Sequence, residues 1–148
     1  GKIIYDVLTD KMPAYVDTGL NLVHVEDVAE GHFLALKYGN YGEKYILGGE
    51  NLHFKDFIDL ISEYGHKKKI NFKLNQKILL PLAYFNELLH KFLLSSTPSL
   101  TVDGLKMSKK KMFFSSSKAK KKLRYRPRSV KNAIKDSVEW FLEYKIRD

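Results

Sequence analysis

Apolar residues change their period at one place in this chain. Residues 21–25, Asn21-Leu-Val-His-Val, form a short run rich in branched apolar side chains, as a buried strand requires. Beyond it, Val28, His32, Ala35 and Leu36 recur three or four residues apart, the spacing of one helix face. Asp27 stands at the switch and is a favoured helix cap; Glu30, three residues on, completes the form of a capping box. The pattern therefore predicts a strand at 21–25 feeding a helix at about 27–38, the joint from which α/β folds are built.

The same reading extends along the rest of the chain. Ile3, Ile4, Val7 and Leu8 predict a helix over 2–10, followed by a short extended stretch at Tyr15-Val16 and a turn at Asp17-Thr-Gly19. Gly39-Asn-Tyr-Gly42 closes the second helix, with glycine in the left-handed cap conformation. Tyr45-Ile-Leu47 reads as a short buried strand with a sharp Gly48-Gly49 exit. Phe54, Phe57, Ile58 and Ile61 make a helical stripe ended by Gly65, with His53 a poor cap. Ile70–Leu74 alternates as a strand or extended connection. Residues 76–94 are apolar on several sides, with Pro81 a kink or a helix start, and predict a core helix or a lid over an apolar ligand. A short helix is expected within 99–109, a strand at Met112-Phe-Phe114, and a basic helix capped among Ser115–Ser117 and ending near Leu123. Ser129 caps the last helix, whose inner face is Val130, Ala133, Ile134, Val138, Phe141 and Leu142, with Trp140 at its edge.

Composition narrows the classes. With 148 residues and 44% hydrophobic content the chain can bury one core. The absence of cysteine excludes disulfides, a thiolate nucleophile and cysteine zinc sites, and fits a reducing cytoplasm. The five histidines (24, 32, 53, 66 and 90) lack metal-ligand spacing, so no metal site is expected. Residues 78–94 are too interrupted by polar and charged groups for a membrane span. No secretory signal opens the chain, and Gly1-Lys-Ile-Ile-Tyr5 starts as though inside an element, so a longer polypeptide is expected.

Charge is unevenly placed within the net +9. Residues 1–65 hold five Lys against eleven Asp and Glu, whereas residues 66–148 hold 21 basic groups against six acidic ones. Between Lys106 and Lys131 there are twelve basic residues and no acidic one. A solvated lysine-rich face explains such a block, and so does a nucleic-acid-binding module over 106–131. Peripheral membrane contact through Leu79–Leu94 and the lysines is a third reading.

Catalytic motifs are missing. Tyr64 and Lys68 have the Tyr-x-x-x-Lys spacing of reductases that use a tyrosine acid, but Gly65 follows at a helix end, so the two would not share a helix face. The chain has no Gly-x-Ser-x-Gly elbow, no His-Glu-x-x-His, no Gly-x-x-x-x-Gly-Lys and no three-glycine dinucleotide fingerprint. No catalytic or cofactor-binding residue is assigned.

Three ordered segments nonetheless resemble one family. Asn21-Leu-Val-His-Val-Glu-Asp-Val-Ala-Glu-Gly-His32 is similar to a Val-His-Val-Asp-Asp-Val-Ala-x-Gly-His segment of extended short-chain dehydrogenases/reductases, the NAD-dependent epimerase/dehydratases. Lys44-Tyr-Ile-Leu-Gly-Gly-Glu-Asn51 resembles their next strand. Phe113-Phe-Ser-Ser-Ser-Lys-Ala119, with Leu123-Arg-Tyr-Arg-Pro127 and the terminal helix, resembles their closing pattern. Met12-Pro-Ala-Tyr-Val-Asp-Thr-Gly19 and Lys109–Ser116 point to the dihydroflavonol reductase-like members and hopanoid-associated sugar epimerases.

The resemblance implies an α/β chain that is the C-terminal part of an extended Rossmann-fold reductase. Residues 1–148 would hold the last parallel strands and the small helical substrate-binding domain, and the cofactor-binding part would lie upstream. NAD or NADP would be held mainly there, and the substrate would be a sugar, nucleotide sugar or flavonoid- or terpenoid-like alcohol or ketone. The complete enzyme would act by hydride transfer, in the cytoplasm and as a homodimer; this part alone would be inactive. The segment from Asn21 is expected as a late parallel strand. Many nucleotide-sugar members carry Arg at the place of Leu20, so a guanidinium grip on a diphosphate is missing here. Dihydroflavonol-type members have an amide at the place of Asn21, which makes Asn21, with Tyr15 and Lys106, the expected substrate contacts. Local backbone satisfaction is the competing role for Asn21. The family glycine before Tyr125 is Arg124 here, which bears on the local turn.

Overall fold

The computed structural model describes residues 1–75, 79, 81 and 106–146. The body of the expected 76–94 helix and the first part of the 99–109 helix lie outside the described residues. The elements are α1 (Lys2–Leu8), β1 (Tyr15–Val16), β2 (Gly19–Leu22), α2 (Val25–Tyr38), β3 (Glu50–His53), α3 (Phe54–Tyr64), β4 (Lys73–Leu74), α4 (Ser117–Leu123) and α5 (Val130–Tyr144).

The main core lies where α1, α3 and α5 meet. Ile4, Val7 and Leu8 of α1 pack on Phe57, Ile58 and Ile61 of α3 and on Val130, Ile134 and Val138 of α5. These are the apolar stripes that helical periodicity marks out, and burying such side chains contributes about 1.5–3 kcal/mol each. A second cluster forms between α2 and α4, where Ala119, Leu123 and Tyr125 meet Leu34, Ala35, Tyr45 and Leu47.

Strand pairing corrects one expectation. β2 runs antiparallel to β3, with Gly19 opposite His53 and Leu22 opposite Glu50, so the segment at Asn21 is not a late parallel strand. The ladder ends at Leu22 because the next two residues turn to cap and open α2. Parallel pairing occurs instead between β1 and β4, Tyr15 opposite Lys73.

The start of α2 also differs from its sequence signature. His24 is the cap, its Nδ1 accepting from the Glu26 N–H at 3.2 Å. Asp27 lies in the first turn and is 3% exposed. The buried ridge runs through Asp27 and Gly31 to the half-buried Ala35, because Leu47 lies where a side chain at Gly31 would stand. His32 and Leu36, expected on the inner face, are exposed. Gly39 ends α2 with φ −72°, outside the left-handed region; a side chain there would meet the Ala35 carbonyl, and Gly42 takes the positive φ.

Tyr45–Leu47 and Met112–Phe114, both expected as strands, form no regular ladder. His53 makes no side-chain cap, whereas Ser129 accepts from the Lys131 N–H as its position predicts. Trp140 is 46% exposed at the edge of α5.

Candidate functional site

Alternation along β2 sends Leu20 and Leu22 to one side and Asn21 to the other. On the Leu side, β2 closes against α1 and α5 around a cavity of about 240 Å³. Ile3, Ile4, Leu20, Leu22, Phe57 and Ile134 line it, and Ser137 is its one polar side chain. That hydroxyl donates to the Ala133 carbonyl at 2.7 Å, within its own helix. A second cavity, also about 240 Å³, shares Ser137 and is bounded by His24, Val25, Asp136, Trp140 and Phe141. There His24 Nε2 faces Asp136 at 3.2 Å while Nδ1 caps α2, so both ring nitrogens are engaged.

On the opposite side of β2, Asn21 faces its ladder partner Asn51. Asn21 Nδ2 donates to Asn51 Oδ1 at 2.7 Å and to the Phe114 carbonyl at 3.4 Å, and its Oδ1 accepts from the Gly49 N–H at 3.1 Å. Asn51 Nδ2 donates to the Phe114 carbonyl while its Oδ1 accepts from the Phe114 N–H, so one amide imitates a strand peptide. The Met112 N–H extends this contact by donating to the Gly19 carbonyl at 2.8 Å. Both side-chain amides are thus occupied in seating 112–114 beside β2, the competing role weighed for Asn21.

The three expected contact residues do not converge. Tyr15 sits in β1, half-buried against the main core, with the Lys55 ammonium 5.8 Å from its ring centre. Lys106 lies on an exposed helical turn. None of Tyr15, Asn21 and Lys106 lines either cavity. Of the residues that do, Leu20 stands out in the sequence only as the place of a missing Arg, and Leu22 only as part of the apolar run at 21–25.

A charged clasp that the sequence did not signal holds the site's frame. Arg128 Nε donates to Asp27 Oδ1 at 2.8 Å, its backbone N–H donates to Oδ2 at 2.9 Å, and Nη1 lies 2.9 Å from Glu26. The hydrogen bond to Asp27 raises the Arg128 pKa further. Next to it, the Val130 N–H donates to Glu50 at the start of α5. Residues 101 apart in sequence tie α2 to the entry of α5. Tyr125 is 2% exposed with a hydroxyl lacking a partner among the described residues. Burial, then the charges of Asp27 and Glu30, push its pKa above the ordinary value.

The glycines do not form a nucleotide cradle. A side chain at Gly48 would strike Asn21, and one at Gly49 would strike the Leu22 carbonyl, so the pair serves close packing on β2. Tyr64 ends α3 and Lys68 lies beyond it, so they share no helix. Among the described residues no group of His, Asp and Glu could hold a metal ion, and no helix is long and apolar enough to cross a membrane. In the basic block, the Phe113 ring fills the space above Gly19 and meets His53 edge-on, so it serves packing more than base stacking.

No protein-family model matches the chain. A putative dihydroflavonol 4-reductase of Synechocystis sp. is 38% identical over 147 residues, which is 95% of this chain and 42% of that protein. The crystal structure of gox2253 is 48% identical with a TM-score of 0.79, covering 97% of this chain and 43% of its own. PA4631, a nucleoside-diphosphate-sugar epimerase from Pseudomonas aeruginosa, has a TM-score of 0.78 at 21% identity over 98% of this chain and 42% of that one. A dTDP-glucose 4,6-dehydratase from Bacillus anthracis, solved with NAD, has a TM-score of 0.63 at 13% identity, over 97% of this chain and 39% of that one. The last two bear on the fold alone. The chain spans about two fifths of the length of the curated relative it matches. With the three sequence segments in their family order, the chain is similar over nearly its whole length to a dihydroflavonol reductase-type relative and shares the fold of these structures.

Proposed function

We propose that residues 1–148 are the carboxy-terminal, substrate-binding portion of a cytoplasmic NAD(P)-dependent reductase or sugar epimerase/dehydratase, acting on a hydroxyl or carbonyl carbon. The likeness to the dihydroflavonol reductase-type relative and to gox2253 over nearly the whole chain supports it. The observation that carries it is a surface built to be covered. Residues 45–48 belong to no regular element, and none of their backbone N–H groups finds a hydrogen-bond acceptor among the described residues. Ile46 is 50% exposed; on neighbouring α2, Val25, Phe33 and Leu36 are 76%, 62% and 85% exposed. Unanswered backbone donors invite strand pairing, and an exposed apolar helix face invites cover. The missing partner of 45–48 would be a strand from the remaining three fifths of a relative's length.

The nicotinamide, when bound, would accept or donate the hydride. This chain's described residues do not fit its phosphates, so they contribute the substrate cavity and the frame around it. Asn21 enters this reading as a positioning residue that holds Gly49 and Phe114, and Tyr15 as core. The test is nicotinamide binding and turnover by the complete natural polypeptide that contains this chain. Saturable NAD(H) or NADP(H) binding, with oxidation or reduction of hydroxyl or ketone compounds, is expected. A complete polypeptide that binds neither nucleotide would overturn the reading.

A further inference from the structure

We infer that the outer face of α4, together with the turn that follows α2, docks on an anionic lipid bilayer, with Tyr41 seated among the headgroups. Positive charge gathers here from two elements. Residues 31–44 carry Lys37, Lys44 and one acid, Glu43, while residues 117–126 carry six basic residues and no acid. The two stretches are joined in space. Lys118 Nζ donates to the Lys44 carbonyl at 2.9 Å and lies 3.6 Å from Glu43. Arg124 and Lys37 stand 5.4 and 5.2 Å from the ring centre of Tyr38, linking the end of α4 to the end of α2. Lys120, Lys121 and Arg126 are exposed, and their side chains have no ion pair or hydrogen bond among the described residues.

A face that is merely solvated interleaves the two signs, and α4 does not. Its buried residues are Ala119 and Leu123, and the rest of its sequence, Ser-Lys-Ala-Lys-Lys-Lys-Leu, is dominated by lysine. Lys118 and Lys122, like Lys120 and Arg124, stand four residues apart, the spacing at which like charges destabilise a helix. The macrodipole favours the lysines of the last turn, but no acidic residue occupies the first. An anionic surface relieves that repulsion. Tyr41 marks where the surface meets its partner, being fully exposed beside Gly42, which takes a positive φ. A phenol ring suits the headgroup layer, where one end meets hydrocarbon and the other water. Most of these cations are lysines, point charges that match a fluid array of headgroups. A nucleic acid calls for arginine forks and successive stacking rings, and here Arg124 and Tyr38 are engaged with each other. The outward apolar residues Phe33 and Leu36 lie on the side of α2 that α4 does not cover, so a neighbouring sheet and a bilayer do not compete for one face.

The experiment is co-sedimentation of the complete natural polypeptide with vesicles of phosphatidylcholine alone or of an equimolar mixture with phosphatidylserine. Binding to the mixed vesicles, absent with phosphatidylcholine alone and lost as salt is raised, is expected. A lysine near an anionic surface strengthens binding about fivefold, so Lys120→Gln, Lys121→Gln and Lys122→Gln combined should weaken it about 100-fold. The melting profile should stay close to wild type, because none of the three side chains is buried. Tyr41→Ser, which leaves the charge intact, should also weaken binding. Equal binding to both kinds of vesicle, binding to neither, or affinity unchanged in either variant would overturn the inference. So would a mixed-sequence single-stranded RNA that binds more tightly than the mixed vesicles, which would give this face to nucleic acid.

Discussion

At the scale of single residues, ion pairs in this chain divide by how far they are taken from water. Lys73 and Asp17 pair at 2.8 Å with both side chains 54% exposed, and the pairing lowers the Asp17 pKa through its hydrogen bond to Lys73 and then their charge attraction. That contribution is present above the ordinary carboxylate pKa and is lost as pH falls through the lowered one. Screening keeps it small, so Lys73→Ala should leave the urea midpoint close to wild type. Asp27 differs because its side chain is only 4% exposed. Arg128→Ala would leave its carboxylate, among the described residues, with the backbone N–H of residue 128 alone, and should cost about 2 kcal/mol or more in chemical denaturation. Tyr125 makes the opposite case. Its buried hydroxyl has no partner among the described residues, so Tyr125→Phe should leave stability at pH 7 unchanged or raise it by about 1 kcal/mol. Because its pKa is raised, neutral Tyr125 favours the fold below the ordinary tyrosine value near 10, and that contribution fades as pH climbs through the raised one. The Phe variant should flatten the alkaline loss, measured as urea stability at neutral pH against pH about 11.

At the scale of elements, what could be read in advance was what periodicity controls. The stripes of α1, α3 and α5 fall on the main core, and Ser129 caps where its position says. What escaped depends on contacts distant in sequence. The Asp27 and Glu30 pattern marks a capping box, yet His24 takes the cap and Asp27 reaches Arg128, a partner no local pattern names. Asn21 was legible as an important amide, but its use was set by Asn51 and Phe114, 30 and 93 residues away. Two elements carry predictions of their own. Arg124 ends α4 with φ 59° and ψ 26°, so the turn expected of a glycine is kept by a residue with a Cβ. Its guanidinium lies 5.4 Å from the Tyr38 ring centre, which offsets part of the strain. Arg124→Gly should therefore stabilise by roughly 0.5–1 kcal/mol in urea denaturation. Asn51→Ala removes both bonds to the Phe114 peptide and should cost about 1–2 kcal/mol, with faster hydrogen exchange at the Phe114 amide while the α3 amides keep their protection.

At the scale of the whole molecule, the apolar side chains divide into two sets with opposite fates. One set closes the α1–α3–α5 core; the other, Val25, Phe33, Leu36 and Ile46, faces outward, and the N–H groups of residues 45–48 find no acceptor among the described residues. The sequence periodicity of α2 marked Leu36 as inward, and the correction is one of frame: the helix has two apolar sides, and α4 with Leu47 covers only one. The proposed function gives the second side an occupant, a neighbouring sheet in the complete polypeptide, and that has measurable consequences. In the complete polypeptide the amides of residues 45–48 should be strongly protected from hydrogen exchange, as ladder amides are. Leu36→Ser should lower its stability by about 2 kcal/mol, the worth of a leucine fully removed from water. An exposed leucine would yield within about 0.5 kcal/mol on the same substitution. Fast exchange at 45–48 together with a neutral Leu36→Ser would mean that this face stays in water in the complete polypeptide, and the sheet assigned to it would have to lie elsewhere.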